Sequence, residues 1–195
     1  MKKIFFAAAA VLAVTVFGAE KINGIFGIKL GEKLARAEKL GELSALNIKA
    51  VKVEPDNDEV LQCVALADTN DIPLAVMCYM PWSEADAKAK IVDGWSAKYG
   101  KPTISGFDTD AKHVDNKIEF DTFAVDGRAL SFIRQGGKVV LQCADIGAVT
   151  NMLGKIKYEE LNSRYYGLGL VGKVVGYDIE KKGSEGKQPL SKEDK

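Results

Sequence analysis

The chain has 195 residues, 27 basic and 27 acidic side chains, and a formal net charge of zero. Both signs are interspersed, which leaves no electrostatic footprint for nucleic acid and no polybasic cluster for anionic lipid. The length suits one domain, large enough to bury a core without staples, so the three cysteines are not needed as a framework.

The N-terminus reads MKKIFFAAAAVLAVTVFGAEK. Lys2 and Lys3 precede an apolar run over Ile4–Phe17, and Gly18–Ala19 supplies small residues at its end. That is the layout of a secretory signal peptide over residues 1–18. Cleavage after Gly18 leaves Val16 at the third position back; cleavage after Ala19 would put bulky Phe17 there. The run falls short of the roughly 20 residues that a bilayer core demands. An uncleaved N-terminal anchor is the alternative. The expectation is export, most simply to a bacterial periplasm, with no stable membrane insertion once the signal is removed. Without Lys2 and Lys3 the balance becomes 25 basic against 27 acidic.

Residues 19–179 read as a single α+β domain. Ile22–Leu30 has strand character between glycines. Gly31–Leu40 reads as a short helix, with Leu34, Ala37 and Leu40 on one side and Gly41 as its stop. Strands follow over Ile48–Val53, Val60–Ala67 and Ile72–Met80, separated by the turns EPDNDE and DTND. Glu84–Tyr99 is the clearest helix. Ser83 and Asp86 stand in capping-box spacing, Val92, Trp95 and Tyr99 share a face, and Gly100 and Pro102 end it. Asp126–Gly127 and Gly136–Gly137 are two-residue hairpin signals. They give strands Lys117–Val125, Arg128–Gln135 and Lys138–Ala144, with Phe123 facing Leu130 and Leu130 facing Cys143. After Asp145 the chain turns helical through Val149, Met152, Leu153 and Ile156, with further turns over Glu159–Tyr166. GLGLVGKVVGYDI follows as an edge strand or a covering segment. Glu180–Lys195 has the composition of a disordered tail. The expected fold is antiparallel sheet meanders with helices packed on one face, and a loose helix-then-meander duplication stays open.

The tetrapeptide VLQC occurs twice, as Val60–Cys63 and Val140–Cys143. Chance alone produces such a match about 0.3 times in a chain of this length, so it is weak ground for a repeat. An exported protein meets an oxidising compartment. If Ala67 pairs with Leu74 across the DTND turn, Cys63 comes opposite Cys78, close to bonding range. Another pairing, or three buried thiols acting as small hydrophobes, are the alternatives.

The chemistry is sparse. The one histidine, His113, lies in the polar stretch DTDAKHVDN with no nucleophile signature around it. No run of Cys or His has zinc spacing. Asp108 with Asp110, and Asp56 with Asp58 and Glu59, lack the glycine and distal glutamate of a calcium loop. Gly167–Gly172 matches G-x-G-x-x-G by letter but lacks the strand–turn–helix context. No Cys-x-x-Cys is present. The reading is therefore no catalytic residue, no metal site and no cofactor.

GIFGIKLGEKLARAEKLG, through Gly27, Leu30, Gly31, Leu40 and Gly41, resembles the opening of small exported α+β domains of the BamE and β-lactamase-inhibitor-protein type. The resemblance implies a helix-on-antiparallel-sheet layout and a binding role. It carries over no functional residue, and the lipidation cysteine of the assembly factor is missing here. The functional expectation is an exported, non-catalytic domain that binds a protein or small ligand in the cell envelope. Trp82, Tyr165 and Tyr166 are its candidate interface aromatics. The rivals are an inhibitor of an envelope or secreted hydrolase and an enzyme with a free cysteine nucleophile.

Overall fold

The computed structural model describes residues 20–81, 84–109, 117–135 and 137–155. Its frame is an eight-stranded antiparallel sheet made of two four-stranded meanders. The first is β3 (Glu38–Leu43), β4 (Ile48–Val53), β5 (Gln62–Ala67) and β6 (Pro73–Met80). The second is β7 (Ile104–Thr109), β8 (Lys117–Val125), β9 (Arg128–Gln135) and β10 (Lys138–Asp145). Their last strands, β6 and β10, pair with each other, so the spatial order is β3-β4-β5-β6-β10-β9-β8-β7. A small hairpin, β1 (Gly24–Ile25) and β2 (Ile28–Lys29), precedes the first meander. The helical run before the second comprises α1 (Glu84–Ala87), a π turn (Lys88–Val92) and α2 (Asp93–Tyr99). α3 (Ile146–Leu153) follows β10.

The hairpins form where the turn chemistry predicts. Asp126 and Gly127 both have positive φ, 49° and 76°, the conformation that a two-residue I′ turn requires. From that turn the register runs as expected: Phe123 opposite Leu130, Leu130 opposite Cys143, Phe120 opposite Ile133 and Ile133 opposite Val140. Cys63 stands opposite Cys78. The expected pairing slips only at the DTND end, where an irregularity sets Ala67 opposite Pro73 instead of Leu74.

Alternation along the strands makes both faces of the sheet apolar, and each has its own cover. On one face Val51, Val76, Leu141, Phe123 and the cysteines pack with Ile25 and Ile28 of the hairpin and with Ala87 and Val92 of the helical run. Trp95 meets Phe123 edge-on, with centroids 5.8 Å apart. On the other face Leu46 and, from α3, Val149 and Met152 pack on Ile48, Leu66, Ala75, Met77 and Ala144. The helices therefore lie on opposite faces, which corrects the expectation of one covered face. A sheet with two apolar sides cannot bury both under helices on one side. Small residues prepare the second face: Ala75, Ala144, Ala129 and Ala124 stand directly opposite one another across four strands. A row without bulk lets a helix approach closely. The Asp145 carboxylate caps α3 by accepting from Ala148 N–H at 2.8 Å.

Three more sequence expectations need correction. Gly31–Leu40 is not a helix. It is a turn and loop that enters β3, and Leu40, one of the three residues expected to share a helix side, is 49% exposed on the sheet edge. β3 and β7 went unrecognised as strands. As edge strands they need only one partner and little apolar content, so alternation barely marks them. The first meander is preceded by the hairpin and this loop, so a helix-then-meander duplication fails in its first half. Ser83 of the capping box, His113, the GLGLVG segment and the tail lie outside the described residues.

Candidate functional site

The hairpin and the loop after it form an irregular segment that is held at several points. Two glycines shape it, Gly27 at φ 77° and Gly31 at φ 83°, a region costly for any residue with a Cβ. At Gly27 a Cβ would also stand 2.8 Å from the Asp56 Cβ. Three backbone bonds then fasten the segment, one to the loop after β4 and two to the turn into β6. Asp56 N–H donates to Phe26 O at 2.8 Å, Gly31 N–H to Pro73 O at 3.3 Å, and Leu34 N–H to Asp71 O at 3.0 Å. Arg128 clamps it from the second meander. Its guanidinium donates to Ile22 O at 3.1 Å, Asn23 O at 3.2 Å, Asn23 Oδ1 at 3.3 Å and Leu30 O at 3.1 Å.

Between this loop and the end of β4 lies an open cleft of about 410 Å³. Ile28 and Val53 are buried at its floor and Leu34 is half-buried beside them. The charged lining is Lys29, Lys33, Arg36, Glu32 and Glu54. Lys29 is paired with Glu32 at 3.2 Å. Among the described residues Lys33 and Arg36 have no ion-pair partner. Nearby, the Lys49 ammonium donates to the Asp71 carboxylate at 2.6 Å. That hydrogen bond holds the carboxyl below its ordinary value; desolvation opposes it, and the charges of Lys49 and Lys33 add smaller pulls. A second, smaller groove of about 300 Å³ lies on the opposite face, lined by Leu46, Ile48, Leu74 and Met152 with Asn47 and Asn151.

Cys63 and Cys78 form a disulfide across adjacent strands, with Cα atoms 4.3 Å apart. The close spacing is that of a non-hydrogen-bonded antiparallel pair. Cys143 remains a free, buried thiol. Burial pushes it up to about 12, while Arg128 pulls it down and Asp145 pushes it up by less. A thiol so rarely ionised is a poor nucleophile.

Of the residues singled out in the sequence, Cys63 and Cys78 come together as one of the pairings considered. Trp82, Tyr165 and Tyr166 lie outside the described residues. Among the described residues no group of three or more His, Cys, Asp or Glu is placed to hold a metal ion. No helix there is long and apolar enough to cross a membrane. Sequence reasoning passed over Lys33 and Arg36, which fall inside the stretch expected to be a short helix. The usable signal was the pair of glycines four residues apart. No protein-family profile, no curated protein and no solved structure matches the chain.

Proposed function

We propose that this chain is an exported, non-catalytic domain that binds a partner or small ligand in the cell envelope, most simply in a bacterial periplasm. The observation that carries the reading is the Cys63–Cys78 bond, set between directly opposed strand residues. Such a bond persists in oxidising compartments and is rare in reducing ones, which agrees with the leader-like residues 1–18. The constrained loop and its cleft supply a preformed concave surface, the usual form of a binding site. The buried, weakly acidic Cys143 counts against the rival reading of a cysteine nucleophile. An inhibitor of an envelope or secreted hydrolase is a special case of the binding reading.

The test is an intact mass of protein taken from an envelope fraction, alkylated under denaturing conditions with and without prior reduction. Loss of residues 1–18, one alkylated cysteine before reduction and three after it are expected. An uncleaved chain with three alkylated cysteines in both samples would overturn export. Recovery of one hydrolase with the protein, and its loss of activity in the complex, would narrow the function to inhibition.

A further inference from the structure

We propose that the cleft beneath the loop at 27–36 binds a small organic carboxylate. Its apolar body would lie on Ile28, Leu34 and Val53, and its carboxylate would meet Lys33 and Arg36. The inference deepens the binding role proposed above and rests on it.

The cleft is built before any ligand arrives. Leu34 is tied down twice, by its N–H bond to Asp71 O and by packing on the main core. Lys33 and Arg36 are one residue before and two residues after this anchor, so its fixed backbone presents both cations at the same rim. A preformed site avoids the ordering cost that a mobile loop would add. The charges then select the ligand. Glu32 is engaged by Lys29, and Glu54 is the other acid in the lining, so the five charged groups carry an excess of one positive charge. A cationic ligand would be repelled by two unpaired cations. An inorganic anion would satisfy those cations but leave the apolar floor wet. An organic anion uses both parts, and the volume lies within the roughly 300–1,000 Å³ usual for small-ligand sites.

The probes are octanoate, inorganic phosphate and octyltrimethylammonium, each titrated into the full chain with its Cys63–Cys78 bond intact. Backbone amide resonances of Gly27, Gly31 and Lys33 report binding. Octanoate is expected to shift them saturably, phosphate far more weakly, and the cation not at all. Lys33→Glu with Arg36→Glu should weaken octanoate by about tenfold or more, the weight of one lost charge-assisted contact. Both side chains are exposed, so amides distant from the cleft should keep their positions. Lys39→Glu, on the edge strand, is the control and should leave octanoate binding unchanged. The proposal is overturned if octanoate gives no saturable shift, if the double variant binds it equally well, or if phosphate binds as tightly. A silent cleft in a protein that still captures an envelope partner would sink the carboxylate site alone. A responsive cleft in a protein with three free thiols and an uncleaved leader would sink the export reading alone.

Discussion

The four residues Val-Leu-Gln-Cys occur on both sides of one strand and meet two different fates. β5 and β10 both pair with β6, so the two copies flank it, offset by two residues. Cys63 stands opposite Cys78, which on its other side faces Leu141; Cys143 stands opposite Val76. A two-residue offset keeps the same side chains on the same face, so both cysteines enter the same core cluster. Yet only one of them has a cysteine across from it. The leucines separate further: Leu61, at the entry to β5, is 69% exposed, while Leu141, inside β10, is fully buried. Gln62 is exposed, and Gln142 is buried with neither amide atom hydrogen-bonded. Identical sequence thus supplies a surface lip in one place and a core in the other. The deciding factor is depth within the sheet, which no tetrapeptide encodes. The copies also sit on different members of their meanders, the third strand of the first and the fourth of the second, so they do not mark equivalent positions.

The same substitution made in each copy should expose this difference. Leu141→Ala should cost about 3–5 kcal/mol through lost burial and a cavity, while Leu61→Ala should stay within about 0.5 kcal/mol; urea denaturation of both variants measures the gap. Removing the bond with Cys63→Ala and Cys78→Ala should cost about 3 kcal/mol, given the 15-residue separation that it closes. Cys143→Ala, which breaks no bond, should cost about 1 kcal/mol. A third contrast is in pH. The Cys143 thiol is raised by burial to about 12 in the folded chain, so the unfolded thiol ionises first as pH rises. Its contribution is present in full below the ordinary thiol range and is lost between there and the folded value. By pH 10 the loss should be on the order of 1–2 kcal/mol, and the difference between parent and Cys143→Ala in alkaline unfolding should report it. The smallest effect has the opposite sign. Gln142→Leu replaces two unpartnered buried polar atoms with apolar ones and should be neutral or stabilising by up to about 1 kcal/mol. Gln62→Leu should change nothing measurable. A clear loss of stability in Gln142→Leu would mean that its amide has a bonding role.

Where the turn chemistry is explicit, the fold was readable. The Asp126–Gly127 dipeptide fixed the register of the second meander, and the spacing around DTND brought Cys63 to Cys78 despite a slip at the loop end. What failed had physical reasons. Leu34, Ala37 and Leu40 carry helical spacing, but the backbone bonds at Gly31 and Leu34 hold the chain in a loop, and tertiary contacts override local propensity. β3 is mostly polar and bulged at Leu40, which hides it from any test of alternation. The cleft was illegible for the same reason as the loop: Lys33 and Arg36 become neighbours of Ile28 and Val53 only once the hairpin is clamped by Arg128, a residue some hundred positions away in the chain.

The pairing of β6 with β10 also decides whether the chain can be divided. Each meander ends in one of its most apolar strands, and those two strands cover each other's open edge. A break between Met80 and Ile104 would leave both halves with a long, unguarded edge of Val, Met, Leu and Cys, the kind of surface that recruits other chains. The two halves are therefore obligate complements rather than modules. Nicked protein should elute as a single intact-sized species on gel filtration, and either half expressed alone should precipitate.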